Sequence, residues 1–355
     1  MGYFRENIEK AKGYEPGFQP RASSIEHRAS SIVKLNTNEN PYPPSPAVLK
    51  ALAQIGPELL RRYPDPAGDE FRRAAAVVNA VQPENIMCCN GGDDLLTIAF
   101  RAFCDENRPV GYPVPTYSLY PVLANLQNCR AIEVPFDAEF NLPAKLARTA
   151  ASLTIVCNPN APNGSFISVD ELASLANEFS GVLLIDEAYV DFAEENCTAL
   201  AKELDNVIIL RSMSKGYCLA GLRFGYAIAD ADLIEGLMKV KDSYNVDAVA
   251  IAAATAAIKD QKYFNQISEK VKKERKELTG KLRQSGFEVP DSFANFVLAE
   301  NRNYKASDIY DKLVQRNIYV RYFDLPGLNN KLRITVGTKE QNDKLISALQ
   351  QIISG

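Results

Sequence analysis

Seven short apolar runs alternate with helix-like segments between residues 86 and 229, and this alternation constrains the fold more than any other feature. The runs lie at 86–89, 109–112, 131–134, 153–157, 182–186, 207–210 and 224–229. Segments with helical periodicity separate several of them, near 93–104, 117–127 and 169–178. Alternating strands and helices are typical of an α/β domain with a mostly parallel sheet, whose ligands bind beyond the carboxyl ends of the strands.

The rest of the chain predicts a smaller α+β domain. Helical patterns at about 231–241, 246–258 and 262–285 are followed by strands at 294–299, 318–321 and 332–336 and by helices at 306–316 and 339–353. A chain of 355 residues is long enough for about two domains. We expect an N-terminal arm over residues 1–40 that associates with the small domain, a large domain over 41–250 and a small domain over 251–355.

Composition excludes several classes of function. A net charge of −4 without a basic block argues against a nucleic-acid binder. No run of 18 apolar residues is present and the first residues are polar, so neither a membrane span nor a secretion signal is expected. The seven cysteines form no CxxC pair, which favours reduced thiols in a cytoplasmic protein. His27 is the only histidine, which excludes His-based triads and metal sites with two imidazoles, and no metal is expected.

A lysine with phosphate-binding neighbours follows the apolar run that ends at Leu210. The hydroxyls of Ser212 and Ser214 and the guanidinium of Arg223 suit a phosphate group. Lys215 lies among small and apolar residues, where the pKa of an amine can fall and make it nucleophilic. A lysine beside a phosphate site is what a Schiff-base cofactor such as pyridoxal phosphate (PLP) requires. The stretch alone is equally compatible with a strand followed by a solvent-exposed loop.

Three other strand ends carry polar residues that suit the same cofactor. Gly91-Gly92-Asp93 precedes a helix, where free N–H groups bind anions. Asn160 lies in a loop made rigid by two prolines and a glycine. Asp186 ends an apolar strand, and Tyr189 follows three residues later. A PLP enzyme needs an imine-forming lysine, an acid at the pyridine nitrogen, a phenol or amide at the ring oxygen and phosphate donors, and the four strand ends together supply them.

Several longer motifs make the sequence similar to a known family. They are Gly13-Tyr14-Glu15-Pro16-Gly17, the segment 35–42, the segment 62–65, Pro115-Thr116-Tyr117, Asp186-Glu187-Ala188-Tyr189, the segment 212–223 and the segment 332–337. With these motifs the chain resembles the histidinol-phosphate aminotransferases, a branch of the fold-type I PLP aminotransferases, over nearly its whole length. The resemblance implies a three-layer α/β fold with a mostly parallel central sheet and a smaller α+β domain.

The resemblance also implies a role for each matching residue. Lys215 would bond to the cofactor and then move a proton, Asp186 would pair with the pyridine nitrogen and Tyr189 would contact the ring oxygen. Tyr63 would reach the cofactor phosphate from the neighbouring subunit of a homodimer. The remaining cofactor-binding residues would be Gly91, Gly92, Asp93, Tyr117, which stacks on the ring, Asn160, Ser212, Ser214 and Arg223. The substrate-binding residues would be Tyr14, Asn38, Arg321 and Arg333.

The sequence departs from the family pattern at three places. Ala161 stands where an asparagine usually contacts the ring oxygen, so Tyr189 would act alone or Asn160 would substitute. Asn163 replaces the usual threonine in the same loop. Gly92-Asp93-Asp94 replaces a commoner combination of Ser or Ala, Asp and Glu, which leaves the backbone donors intact.

The expected activity is transfer of the amino group of L-histidinol phosphate to a 2-oxo acid, expected to be 2-oxoglutarate, in histidine biosynthesis. The products are imidazole acetol phosphate and L-glutamate. Three alternatives remain open from the sequence. The same fold could act on an aromatic amino acid, could decarboxylate threonine phosphate, or could belong to a non-catalytic PLP-fold regulator.

Overall fold

The computed structural model of the chain describes residues 2–14, 17–19 and 32–354. The single histidine and the Glu15-Pro16 part of the arm motif lie outside the described residues. The strands, in chain order, are β1 (Val33–Lys34), β2 (Ile86–Cys89), β3 (Val110–Val114), β4 (Ala131–Pro135), β5 (Leu153–Cys157), β6 (Val182–Asp186), β7 (Val207–Ser212), β8 (Gly225–Ala229), β9 (Phe296–Glu300), β10 (Ile318–Tyr319), β11 (Arg321–Tyr322) and β12 (Lys331–Thr335).

The α-helices are interleaved with these strands. In chain order they are α1 (Glu6–Lys10), α2 (Pro46–Ala53), α3 (Pro57–Leu60), α4 (Asp69–Asn79), α5 (Gly92–Phe103), α6 (Leu119–Gln127), α7 (Val169–Glu178), α8 (Leu200–Glu203), α9 (Ala231–Met238), α10 (Ala248–Lys259), α11 (Gln261–Gln284), α12 (Ala306–Val314) and α13 (Lys339–Ser354).

A seven-stranded sheet forms the centre of the molecule, in the order β2-β8-β7-β6-β5-β3-β4. Neighbouring strands pair in parallel except at β8, which is antiparallel to both β2 and β7. Every apolar run between 86 and 229 forms one of these strands, so the mostly parallel α/β sheet is confirmed. The carboxyl ends of β5, β6 and β7 therefore lie side by side.

The sheet is buried on both faces, which explains why its strands are continuously apolar. In β7, Val207 and Ile209 pack into one core and the alternating Ile208 and Leu210 pack into the other. A third core, which contains Leu278 and residues of β12 and α13, lies against two smaller sheets. These are the antiparallel sheet β11-β12-β9 and the parallel pair β1-β10.

Side-chain caps set the helix boundaries that the sequence predicts. Ser45 accepts a hydrogen bond from Ala47 N at 3.1 Å, and Pro46 is the first residue of α2. Asp260 separates α10 from α11 and caps the latter by accepting from Tyr263 N at 3.2 Å. The expected boundary between residues 250 and 251 falls inside α10, whose side chains pack into a core of the large sheet. No helix within the described ranges has the length and hydropathy to cross a membrane.

Candidate active site

Two neighbouring cavities lie at the carboxyl ends of the central strands. The larger has a volume of about 450 Å³ and reaches Asp186 at the end of β6 and Ser212 at the end of β7. The smaller, of about 140 Å³, reaches Arg321 and Arg333. Both cavities are lined by Tyr14, Gly17, Thr37, Tyr117, Tyr189 and Lys215. Most of the residues predicted for the cofactor and the substrate thus meet around the side chain of Lys215.

Lys215 lies between the two cavities and is held by the N-terminal part of the chain. Its Nζ donates to the Thr37 carbonyl at 3.4 Å and lies 5.6 Å from the centroid of the Tyr189 ring. The Asn40 side chain donates to the Lys215 carbonyl at 2.9 Å. Burial, assisted by the positive charge of Arg333, lowers the pKa of Lys215 to about 8. A neutral amine is therefore accessible near neutral pH, as a nucleophilic lysine requires.

Asp186 is a buried carboxylate whose two oxygens are both engaged. Oδ2 accepts from the Tyr120 hydroxyl at 2.8 Å, and Oδ1 accepts from Ala188 N at 3.1 Å. Burial raises the pKa of Asp186 to about 6, against the effect of these hydrogen bonds. A cationic partner in the cavity would favour the ionised form. Sequence reasoning missed Tyr120, because an aromatic residue on the buried face of α6 carries no signal of a polar contact.

Tyr189 lines both cavities, and its ring packs edge-on against Phe296 with centroids 5.1 Å apart. The hydroxyl oxygen accepts a hydrogen bond from Asn38 Nδ2 at 3.0 Å. Burial raises the pKa of Tyr189, and Arg333 and Asn38 oppose that rise. The phenol is therefore a neutral proton donor at physiological pH.

The opposite end of the larger cavity suits an anion. Gly91 has a φ of +85°, and a Cβ there would lie 2.8 Å from Arg223 Nη2, so a side chain would displace that guanidinium. Arg223 donates to Ser214 Oγ and to Asp93 Oδ2, both at 3.4 Å. The first turn of α5, which begins at Gly92, has backbone N–H groups without helical acceptors. Ser212 Oγ, which accepts from Ser214 N at 3.2 Å, completes this corner.

Gly91 acts differently from the expectation that its backbone binds the phosphate. Its N–H already donates to the Cys89 carbonyl at 2.9 Å, so the donors available at this corner begin at Gly92. Gly91 instead provides the left-handed backbone and the space that the guanidinium occupies.

Of two further residues predicted to bind the cofactor, Tyr117 lines the cavities and Asn160 does not. Tyr117 lines both cavities, contacts the rings of Tyr14 and Tyr120 edge-on at 5.9 and 5.6 Å, and donates to Asp93 Oδ1 at 3.3 Å. Asn160 is fully buried and lines neither cavity. Its amide donates to the Pro115 carbonyl and to Asn163 Oδ1 at 3.1 and 2.9 Å. The structure therefore does not bring Asn160 to the cavity to replace the amide that Ala161 lacks.

Two arginines dominate the smaller cavity. Arg321 and Arg333 are directly opposite each other in the antiparallel pair β11-β12. Arg333 donates to the Asn36 carbonyl at 3.2 Å, and its guanidinium lies 5.4 Å from the ring centroid of Phe323. Its Nε is buried and has no hydrogen-bond partner among the described residues. Burial and the charge of Arg321 lower the pKa of Arg333, so an anion placed between the two guanidinium groups would relieve their repulsion.

Tyr63 lies away from both cavities of this chain. It is 81% exposed, and its ring stacks on Tyr244 with centroids 4.5 Å apart. A single chain therefore does not bring Tyr63 to the site.

A buried charged group behind Lys215 was missed by sequence reasoning. Arg211 pairs with Glu187 at 3.2 Å and with Asp191 at 3.0 Å. Asp191 Oδ2 also accepts from the N–H of Gly216, the residue after Lys215, at 3.2 Å. Burial raises the pKa of both carboxyls while Arg211 opposes the rise. This arrangement fixes the backbone on the C-terminal side of Lys215.

Comparison with known proteins agrees with this geometry. The sequence matches the family described as aminotransferase class I and II over residues 30–349. Histidinol-phosphate aminotransferase 1 of Trichormus variabilis is 48% identical over 352 residues, with 99% of each chain covered. The solved structure of histidinol-phosphate aminotransferase from Sinorhizobium meliloti in complex with pyridoxal-5'-phosphate matches with a TM-score of 0.89 at 26% identity, covering 100% of this chain and 98% of that chain.

A decarboxylase shares the fold. L-threonine-O-3-phosphate decarboxylase from Porphyromonas gingivalis matches with a TM-score of 0.81 at 23% identity, covering 91% of this chain and 100% of that chain. At that identity the likeness shows the fold alone. The full-length match at 48% identity shows the family as well as the fold. It confirms the resemblance predicted from the motifs. The chain belongs to the class I and II aminotransferase family, in the branch of the histidinol-phosphate aminotransferases.

Proposed function

We propose that the chain is a PLP-dependent transaminase that passes the amino group of L-histidinol phosphate to 2-oxoglutarate, in histidine biosynthesis. The observation that carries the proposal is the position of Lys215, an amine of lowered pKa between a cavity with a buried acid and a cavity with two arginines. Two comparisons support the choice of substrate and cofactor. They are the relative at 48% identity and the solved structure from Sinorhizobium meliloti, which is described as a complex with PLP.

The donors of the larger cavity fit PLP group by group. The N-terminus of α5 with Ser212, Ser214 and Arg223 would hold the phosphate. Asp186 would face the pyridine nitrogen, where a positive charge would favour the ionised carboxylate against the effect of burial. The cofactor supplies an electron sink that lets a proton leave the substrate carbon.

The residues of this chain supply the rest of the chemistry. The Lys215 amine would hold the cofactor and would accept and return the substrate proton, because burial lowers its pKa to about 8. Asp186 would pair with the protonated ring nitrogen, and the Tyr189 hydroxyl would donate a hydrogen bond to the ring oxygen. Tyr117 would pack against the ring. The segment Asn36–Asn40 contacts Lys215, Tyr189 and Arg333, and would help to exclude water from the site.

The smaller cavity accounts for two different substrates. Histidinol phosphate has a phosphate and no carboxylate, whereas glutamate has two carboxylates. Guanidinium groups match both kinds of anion, and Arg321 and Arg333 lie opposite each other in the sheet. Tyr14 lines both cavities and contributes a ring beside Tyr117.

A panel of amino donors tests the proposed substrate. With 2-oxoglutarate as acceptor, histidinol phosphate should exceed phenylalanine and tyrosine by at least about tenfold in kcat/KM, a difference of ~1.4 kcal/mol. If an aromatic amino acid leads, the site belongs to an aromatic aminotransferase. Release of CO₂ from threonine phosphate would instead indicate a decarboxylase. A protein that takes up PLP and turns over none of these donors would be a regulator.

We also propose that the active form is a cytoplasmic homodimer. The exposed Tyr63 is free to reach a partner's cofactor phosphate, and all seven cysteines are free thiols, which suits a reducing compartment. Mixing Tyr63→Phe subunits with Lys215→Ala subunits tests the shared site. Activity of the mixture above that of either variant alone supports it, since each mixed dimer then contains one intact site. A mixture no more active than the average of its parents contradicts it.

The domain division follows the three cores. We propose that residues up to about 40 form the arm, and that the large domain extends to Asp260 because α10 packs into the large core. The small domain then begins with α11. Within the arm, β1 pairs with β10, which supports its association with the small domain.

A further inference from the structure

Asn38 is more rigidly held than a residue that only contacts substrate needs to be. Its φ is +56°, and it is 1% exposed. Its N–H donates to Thr335 Oγ1 at 3.0 Å, and its carbonyl accepts from Asn295 Nδ2 at 2.9 Å. Thr335 Oγ1 in turn donates to Asn38 Oδ1 at 3.2 Å. The hydroxyl donated to Oδ1 favours the carboxamide orientation in which the NH₂ group lies on the side away from Thr335.

That NH₂ group points at Tyr189. Nδ2 donates to the phenol oxygen at 3.0 Å, so the phenol accepts from Asn38 and its own proton must be directed elsewhere. Tyr189 lines both cavities. The nearby loop offers little help in fixing this proton, since Ala161 presents a methyl group and the Asn160 amide is occupied by Pro115 and Asn163.

We propose that Asn38 is a positioning residue that acts through Tyr189: it holds the phenol so that its proton is directed into the larger cavity. This role rests on the proposed function and replaces the expected contact of Asn38 with the substrate. Because Thr335 orients Asn38, the orientation of the Tyr189 phenol depends on β12, the strand that also carries Arg333. Residues 333 and 335 lie two positions apart and therefore on the same face of that strand. The ring-oxygen contact and the anion-binding arginine thus share one rigid support.

The test uses the PLP-loaded protein without substrate, and follows its visible absorbance band against pH. A proton donor at the ring oxygen withdraws charge from it and lowers the apparent pKa of the band. Thr335→Val removes the hydroxyl that orients Asn38 and keeps the volume. It should raise the apparent pKa by about 0.5 to 1 pH unit, less than Tyr189→Phe does. Thr335→Ser keeps the hydroxyl and should restore the wild-type value.

A matched control separates this role from general loosening of the core. Thr154 in β5 is fully buried, and its hydroxyl has no hydrogen-bond partner among the described residues. Thr154→Val should leave the band unchanged. Asn38→Gly is a second variant in case the valine fails to fold, because glycine accepts the left-handed backbone. In the Tyr189→Phe background neither Thr335→Val nor Asn38→Gly should change the band further, since the group through which they act is gone.

Two results would overturn the role. One is an unchanged apparent pKa in Asn38→Gly together with a KM for histidinol phosphate raised about tenfold, as expected of a direct substrate contact. The other is a full shift in the Tyr189→Phe background, which would mean that Asn38 acts independently of the phenol. A wild-type protein without a visible band would overturn the cofactor assignment and this role together. A different preferred donor would overturn the substrate alone, because the titration contains none.

Discussion

The larger cavity takes its polar side chains from the ends of one sheet, whereas the smaller cavity is assembled from segments far apart in the chain. Asp186 and Ser212 are the last residues of β6 and β7, and α5 begins at Gly92, shortly after β2 ends at Cys89. In contrast, Arg333 meets Asn36 and Thr335 meets Asn38 across 297 residues of sequence. The first kind of site is set by strand order. The second depends on how the arm and the small sheets pack together.

The arginines of the two cavities differ in the same way. Arg223 is half exposed and pairs with the half-exposed Asp93. Arg333 is partly buried against aromatic rings, and its buried Nε has no hydrogen-bond partner among the described residues. Desolvation of a guanidinium that has no carboxylate partner is unfavourable. An anion bound beside it would offset that free-energy cost. The smaller cavity therefore gains more from its ligand's charge than the larger one does.

Lys215→Ala should have the largest effect, because the two cavities share this side chain. We expect kcat to fall at least about 10⁴-fold, ~5.4 kcal/mol in transition-state free energy, with loss of the lysine-bound absorbance band. Single-turnover assays and visible spectra measure both. Lys239→Ala, which removes a surface lysine paired with Glu235, is the control and should change neither. A variant that kept the wild-type band would exclude Lys215 as the residue that binds the cofactor.

Arg333→Met should separate the cavities. We expect kcat/KM for histidinol phosphate to fall about 10²- to 10³-fold, ~3–4 kcal/mol, because a phosphate would enter beside one arginine instead of two. The affinity for PLP should stay within about threefold of wild type. Histidinol, which lacks the phosphate, should lose much less, and steady-state assays with both donors make the comparison. Arg302→Met, at a surface pair with Glu288, is the control. Equal losses for both donors would argue against an anion site at Arg333.

The sequence predicts the larger cavity better than the smaller one for the same structural reason. Asp186 and Lys215 could be found because each follows its own apolar run, and the seven runs formed the seven strands. Arg321 and Arg333 were identified only through the family resemblance. Their pairing depends on the antiparallel register of two strands joined by eight residues, which no local pattern encodes.

Contacts between side chains of different elements were the least predictable. Two hydrogen bonds join elements that the sequence gives no reason to bring together. They are the bond from Tyr120 to Asp186 and the bond from Asn38 to Tyr189. Asn160 shows the opposite case. The residue type suited a cofactor contact, but its loop folds so that the amide hydrogen bonds are satisfied internally.

Asp186→Asn tests how the buried carboxyl of the larger cavity changes the stability of the protein with pH. The pKa of this carboxyl is raised from 3.8 to about 6 by burial, so the folded cofactor-free protein binds a proton more tightly than the unfolded chain does. Its stability should therefore fall as pH rises from about 4 to about 6, by at most ~3 kcal/mol. The asparagine variant should lack this component. Urea unfolding at several pH values measures it, with the surface substitution Asp232→Asn as control. Parallel curves for wild type and Asp186→Asn would contradict the prediction.

Asp93→Asn should have the smallest effect and bears on the exposed arginine of the larger cavity. The pair with Arg223 spans 3.4 Å, and both side chains are about half exposed, so we expect it to contribute no more than ~1 kcal/mol to stability. The melting temperature should move by less than about 2 °C. Asparagine still offers an oxygen to the Tyr117 hydroxyl, while Arg223 loses a competing carboxylate. Inorganic phosphate should therefore bind the cofactor-free protein about two- to fivefold more tightly, as measured by calorimetry. Weaker binding would mean that Asp93 orients Arg223 for the anion. Arg223 would then need a fixed support as much as Arg333 does.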